Sequence, residues 1–397
     1  MTVAAIISLA RVCFLVVQVS LFLVTEKNAI IALNVVSASS PLCAWVGRTQ
    51  ARGDAIYFDW EGVSVSVTVS NFSWVGVEIA DNCVGTIVGG GSRWLVEMSS
   101  PPIFNAAPLN HRITTFYSGP RSNFYYLFNN PGKNCDPNCN IDTNVTFKLT
   151  RLTESRLSGC TPDNNLTIYS FLSDGEFLRQ IHAVAPRRLE FVGDSISAGD
   201  LNDNEGAPIC ANAAYNNDIT LSTGGVLCGP ESQGGFSADC MFTAWGGIQL
   251  GIDGQWGMSL LYPFLFSAGG QNVYEVWNFS VFPVDAVVVN LGTNDHPIPP
   301  AIDWQNNYVQ FVKKIVLTYY KNPSLIIFLA YGPMSTEYQP MVINITATLK
   351  AYGINANILD LTLTHGLTGC YGHPSAADNR KIAAKARPQI AAVMNWS

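Results

Sequence analysis

Charge is scarce in this chain: only 13% of its 397 residues are Asp, Glu, Lys or Arg, and 22 basic against 29 acidic residues leave a net charge of −7. No run of Lys or Arg is long enough to track a phosphate backbone, which excludes nucleic acid and favours neutral polar ligands. Metal-type spacing is also missing. Cys135-x-x-x-Cys139 has no second Cys or His pair near it, and Pro137 with the neighbouring Asn residues suits a disulfide-closed loop better than zinc. Neither a metal nor an organic cofactor is therefore expected.

Long apolar runs are few, and the clearest lies near the N terminus. Residues 12–24 form an apolar segment behind Arg11, and Val36-Ser37-Ala38 supplies small residues of the kind a signal peptidase needs, so residues 1–38 read as a signal peptide and the body as secreted. The competing reading is an uncleaved anchor over residues 3–24 with Arg11 snorkelling, the one case in which a membrane is a partner. Either way the body lies outside the cytosol. Six Asn-x-Ser/Thr sequons (Asn71, Asn144, Asn165, Asn278, Asn344, Asn395) agree with that compartment. Beyond Cys13 in the leader, Cys43, Cys83, Cys135, Cys139, Cys160, Cys210, Cys228, Cys240 and Cys370 remain, an odd number, so at least one is free or paired elsewhere.

What is present is an apolar content of 48%, enough at this length for two cores. From Cys43 to about Leu178 period two dominates. Val63, Val65, Val67 and Val69 alternate with Ser64, Ser66 and Thr68, the pattern of a half-buried antiparallel strand. Further strands are predicted at Ile56–Trp60, Trp74–Ile79, Trp94–Met98, Ile113–Tyr117, Phe124–Phe128, Val145–Leu149 and Leu166–Phe171, which together imply a β-sandwich over residues 43–185. After Pro186-Arg187-Arg188 strand-length apolar runs alternate with helix-length segments, the signature of a parallel sheet covered by helices, so residues 186–397 form an α/β domain. Its predicted strands are Leu189–Val192, Asp285–Leu291, Leu325–Ala330 and Ile358–Leu363. A helix is predicted over Ile302–Tyr320, and a last one capped by Ser375 and interrupted at Pro388.

Four loops of this second half carry chemistry. Gly193-Asp194-Ser195 follows the first strand and delivers one serine into a tight turn, Gly246-Gly247 follows Trp245, Gly292-Thr293-Asn294-Asp295 closes the strand from Asp285, and Gly372-His373-Pro374-Ser375 precedes the last helix. Acyl transfer at a serine needs a base, which His373 supplies, and oxyanion donors, which backbone N–H groups and an asparagine amide supply. Asp194 and Asp295 read as groups that fix their turns. His296 is a rival base at the rim. Of Trp245, Trp256, Trp277 and Trp304, most belong to the core, and Trp245 is the candidate platform for a sugar ring.

In this order the four blocks resemble the SGNH hydrolases, the GDSL esterase superfamily, over about residues 187–397. With Val46-Gly47-Arg48 and Tyr57-Phe58-Asp59-Trp60-Glu61-Gly62 in the preceding domain, the chain resembles carbohydrate esterase family two, secreted deacetylases of the acetyl-xylan esterase kind. The resemblance implies a three-layer, flavodoxin-like SGNH domain behind a small jelly-roll-like β-sandwich. It implies Ser195 as nucleophile, His373 as base, and the Ser195 N–H, Gly247 N–H and Asn294 amide as oxyanion hole, with an acetylated polysaccharide or oligosaccharide as substrate. Members usually carry an aspartate two or three residues before the histidine, where this chain has Cys370, Tyr371 and Gly372. Three readings follow: a Ser-His dyad held by a main-chain carbonyl, an impaired glycan-binding descendant, and a lipid or thioester esterase.

Overall fold

In the computed structural model of the chain, the residues described are 19–24, 30–82, 91–99, 110–119, 121–129, 144–154, 165–179, 187–203, 210, 214–251, 256–267, 275–295 and 301–396. Two antiparallel sheets make up the first domain. In one, Leu166–Ser173 runs through the middle, with Trp74–Asp81 on one side and Ala55–Phe58 and Ile30–Ser37 sharing the other. In the second, Val145–Arg151 lies between Ser64–Ser70 and Arg93–Ser99. The alternation read from the sequence holds: Val63, Val65, Val67 and Val69 are buried while Ser66 and Thr68 are part-exposed. Aromatic contacts join the two sheets, Phe58 meeting Trp94 with ring centroids 6.0 Å apart. All eight strands expected in this domain are present, at Ala55–Phe58, Ser64–Ser70, Trp74–Asp81, Arg93–Ser99, Asn110–Tyr117, Ser122–Asn129, Val145–Arg151 and Leu166–Ser173.

The strands Val19–Val24 and Ile30–Ser37, paired antiparallel, were not expected, and both lie in the stretch read as leader. Hydrogen bonds from Ile30–Ser37 to Leu166–Ser173 and the burial of Val36 and Ala38 tie this hairpin to the sandwich. Cys135, Cys139 and His296 lie outside the described residues.

The second domain is a five-stranded parallel sheet: β1 (Arg188–Gly193), β2 (Asp239–Ala244), β3 (Ala286–Asn290), β4 (Ile326–Tyr331) and β5 (Ala356–Asp360), in spatial order β2-β1-β3-β4-β5. This is the flavodoxin-like order, whose ligand crevice opens at the carboxyl ends of the strands where the winding reverses. Burial on both faces explains the continuous apolar run of β3, all five of whose residues are buried. Helices α1 (Ala301–Lys314), α2 (Gln339–Ala351) and α3 (Ala376–Met394) flank the sheet. Among the described residues no helix is long and apolar enough to cross a membrane.

One expectation is corrected. Pro388 does not interrupt the last helix, which runs unbroken from Ala376 to Met394. A proline inside a helix costs about 3 kcal/mol through its missing N–H. Here Ile382, Ala383, Ala386 and Ile390 are all buried against the sheet, and each large apolar side chain so buried stabilises by roughly 1.5–3 kcal/mol, which outweighs that loss.

A hydrophobic cluster and a buried ion pair join the antiparallel sheets to the parallel one. Arg48 of the sandwich donates from Nη2 to Glu190 of β1 at 2.9 Å, with both side chains fully buried. Its Nη1 reaches the carbonyls of Tyr262 and Phe264, and its guanidinium lies against the rings of Trp60, Tyr262, Trp277 and Phe279. Thr243, Tyr262 and Tyr320 donate their hydroxyls to the Glu190 carboxylate, so the charge is solvated by protein.

Candidate active site

At the end of β1 the backbone must pass very close to its neighbours. A Cβ on Gly193 would come within 2.1 Å of Ser197 Oγ and 2.8 Å of the Asn290 carbonyl, so glycine is required immediately before the turn. Asp194 is extended (φ −105°, ψ −153°) and caps the single helical turn Ser195–Ala198, its Oδ1 accepting the Ile196 N–H at 3.0 Å. Burial pushes the Asp194 carboxyl up to about 7, and the nearby Asp295 charge adds to that. Asp295 ties two loops together, its carboxylate accepting the Leu250 N–H at 3.2 Å. Both aspartates thus hold the turns the sequence assigned to them.

Ser195 and His373, 178 residues apart, meet: the Ser195 Oγ lies 2.9 Å from His373 Nε2. On the other side of the ring, Nδ1 is 3.2 Å from the main-chain carbonyl of Cys370. A carbonyl only accepts, so in the neutral ring the proton sits on Nδ1, and Nε2 is left to accept from the serine hydroxyl. Where an acid was expected there is a peptide oxygen. The chain achieves this through Tyr371 (φ 50°) and Gly372 (φ 76°), whose left-handed conformations turn it back so that the His373 N–H also donates to Cys370 O, at 2.9 Å. Three further restraints hold this loop. Cys370 is disulfide-bonded to Cys210, the Tyr371 hydroxyl donates to the Cys210 carbonyl at 2.7 Å, and the Gly369 N–H donates to the His373 carbonyl at 3.0 Å. Downstream, Ser375 and Asp378 form a capping box at the start of α3, as Ser375 suggested.

The other expected donors surround the same cleft. Ser195, Asp200, Leu201, Gly247, Thr293, Asn294, Met334, Tyr371 and His373 line a cavity of about 270 Å³. Gly247 has φ 77°, a conformation natural to glycine, and its N–H makes no hydrogen bond among the described residues. The Asn294 amide donates to the Ile248 carbonyl at 3.0 Å, which fixes its orientation and leaves its second N–H for the cleft. Trp245 does not line the cavity. It packs on the core and meets the exposed Trp256 edge-on at 6.1 Å, while Trp277 and Trp304 are buried. The aromatic at the cleft is instead Tyr371, which sequence reading treated only as a residue standing where an acid was missing.

A strand-end serine is thus hydrogen-bonded to a histidine, with Gly247 and Asn294 from two further strand-end loops lining the same cleft. Three comparisons with known proteins bear on this arrangement. No family model matches the chain. Among solved structures, a family two carbohydrate esterase from Cellvibrio japonicus superposes with TM-score 0.71 at 19% identity, covering 92% of this chain and 98% of that one. The acetyl xylan esterase Est2A from Butyrivibrio proteoclasticus gives 0.70 at 19% identity, over 92% and 98% of the two chains. A family two carbohydrate esterase from Clostridium thermocellum, solved in complex with cellohexaose, gives 0.69 at 20% over 89% and 100%. A curated relative, the cellulase/esterase CelE of Acetivibrio thermocellus, is 27% identical over 229 residues, which is 53% of this chain and 26% of that protein's length. The chain is thus similar in fold to the family two carbohydrate esterases over about nine-tenths of its length.

Proposed function

We propose that this chain is a secreted carboxylic ester hydrolase that removes O-acetyl groups from a xylan-like polysaccharide, working through a Ser-His dyad. The observation that carries the reading is the relay from Ser195 Oγ through His373 to the Cys370 carbonyl, at 2.9 and 3.2 Å. Ser195 attacks the acetyl carbonyl carbon while His373 Nε2 takes its proton. The oxyanion is held by the Ser195 and Gly247 N–H groups and the Asn294 amide. His373 then returns the proton to the departing sugar hydroxyl, and water, deprotonated by the same nitrogen, releases acetate and regenerates the serine. The Cys370 carbonyl fixes the tautomer and shares the positive charge of the imidazolium, the orienting part of an aspartate's role, without supplying a full charge.

A short acyl group fits the cavity of about 270 Å³ better than a lipid tail, and exposed Tyr371 at its edge offers a sugar an aromatic face. The jelly-roll-like sandwich is read as part of the same enzyme. Disulfides Cys210–Cys370 and Cys228–Cys240 support an oxidising compartment, the kind a secretory leader serves. The test is acetate release from acetylated xylan together with the acyl-length profile on aryl esters. Preference for acetyl supports the reading, and faster turnover of long chains would point to a lipid esterase instead. Binding of acetylated xylan without turnover, and with no covalent labelling of Ser195 by a fluorophosphonate, would leave only a glycan-binding role.

A further inference from the structure

The Gly247 N–H makes no hydrogen bond among the described residues, whereas the three amides before it are each taken. The Trp245 N–H donates to the Gly193 carbonyl within the α/β domain at 3.2 Å. The other two donate to carboxylates of the sandwich: Ala244 N–H to Glu61 Oε1 at 3.0 Å, and Gly246 N–H to Glu154 Oε2 at 2.8 Å. Both glutamates are fully buried, with the buried Arg151 as their charge neighbour. β2 is an edge strand of the parallel sheet, and the sandwich covers the N–H groups at its carboxyl end.

We infer that Glu154 is a positioning residue for the oxyanion hole, so that the β-sandwich completes the site from outside the α/β domain; this rests on the esterase reading above. A hydrogen bond to a carboxylate is roughly twice as strong as one between neutral groups. The segment it holds, Gly246-Gly247, has no side chains with which to pack itself in place. The Gly246 N–H so held lies one peptide before the Gly247 N–H, and restraining it narrows the conformations open to Gly247, which lines the cleft. Glu61 holds the Ala244 N–H, two residues earlier, in the same way. The oxyanion forms only in the transition state, so a misdirected donor lowers kcat and leaves substrate affinity largely untouched.

The experiment uses the full chain with 4-nitrophenyl acetate, comparing wild type, Ser195→Ala, Glu154→Ala, Glu154→Gln and Asp174→Asn. Glu154→Ala is expected to lower kcat by about 10- to 100-fold with KM nearly unchanged, the scale on which oxyanion donors act. Glu154→Gln keeps an acceptor oxygen and restores most of that loss. Asp174, a carboxylate of the sandwich that accepts the Ser73 and Trp74 N–H groups, is the control. Asp174→Asn lowers Tm and leaves kcat as it was. Wild-type kcat in Glu154→Ala, or losses in Glu154→Ala and Glu154→Gln that are equal and merely follow Tm, overturns the inference. Where the alanine variant does not fold, Glu154→Asp withdraws the acceptor while keeping the charge, and an unchanged kcat there overturns it equally. Hydrogen exchange of the peptide spanning residues 244–250 reads the tether without turnover. Faster exchange in the variant supports the inference and unchanged exchange refutes it, whereas absence of Ser195-dependent hydrolysis in the wild type refutes the esterase reading alone.

Discussion

Replacing both Cys210 and Cys370 by serine separates what the disulfide does for the fold from what it does for His373. The bridge closes a loop with a sequence separation of 160, against 12 for Cys228–Cys240. The chain-entropy relation gives about 5 kcal/mol for the first and about 3 kcal/mol for the second, so urea unfolding should show the larger loss for Cys210→Ser/Cys370→Ser. The two bridges differ more in where they act. Cys370 carries the carbonyl that receives His373 Nδ1, and among the described residues the bonds His373 N–H to Cys370 O, Gly369 N–H to His373 O and Tyr371 hydroxyl to Cys210 O are the further restraints on this loop. Freed by even about 1 Å, the imidazole loses its line to Ser195, a displacement that costs on the order of 100-fold in rate. Initial rates with 4-nitrophenyl acetate, at a temperature where every variant is folded, should fall by about 10- to 100-fold for the Cys210/Cys370 pair and by less than about twofold for Cys228→Ser/Cys240→Ser. Equal rates in the two double variants would refute the role given to the Cys370 carbonyl, whatever the stabilities show.

Two other perturbations test the join between the domains. Arg48→Met leaves the Glu190 carboxylate buried without its cation and should cost about 3–5 kcal/mol in urea unfolding; adding Glu190→Gln removes the orphaned charge while keeping an acceptor and should recover part of it, and a double variant no better than the single one would contradict the assignment. Burial raises the Glu61 carboxyl from 4.5 to about 8, so its contribution to stability is complete below pH 4.5 and is lost as pH rises to about 8, on the order of a few kcal/mol. Glu61→Gln should therefore flatten the fall in stability between pH 5 and pH 8, and an unchanged slope would place that titration elsewhere.

Much of this molecule was legible in one dimension, for local reasons. The strand Val63–Val69 announces itself because period two is imposed by the pleat, and Gly193-Asp194-Ser195 because the turn needs a residue without Cβ followed by an N-cap. The strand Asp239–Ala244 was missed. Its only β-branched residue is Thr243, and it becomes a strand through its parallel register with β1, which no local pattern records. Pro388 misled for a related reason, since helix propensity is decided locally while the burial that overrides it is tertiary. A main-chain carbonyl beside the His373 ring, where Cys370 O lies, belonged to one of the three readings of the sequence. Glu61 and Glu154 were not seen as parts of the site, because they act on amides 183 and 92 residues away and carry no sequence signature beyond being carboxylates.

The most direct test of the account is acetate release from acetylated xylan by wild type and by Ser195→Ala, measured at equal concentrations of folded protein. The dyad predicts steady release by the wild type and a loss of at least about 1,000-fold in the variant. Full activity in Ser195→Ala would contradict it.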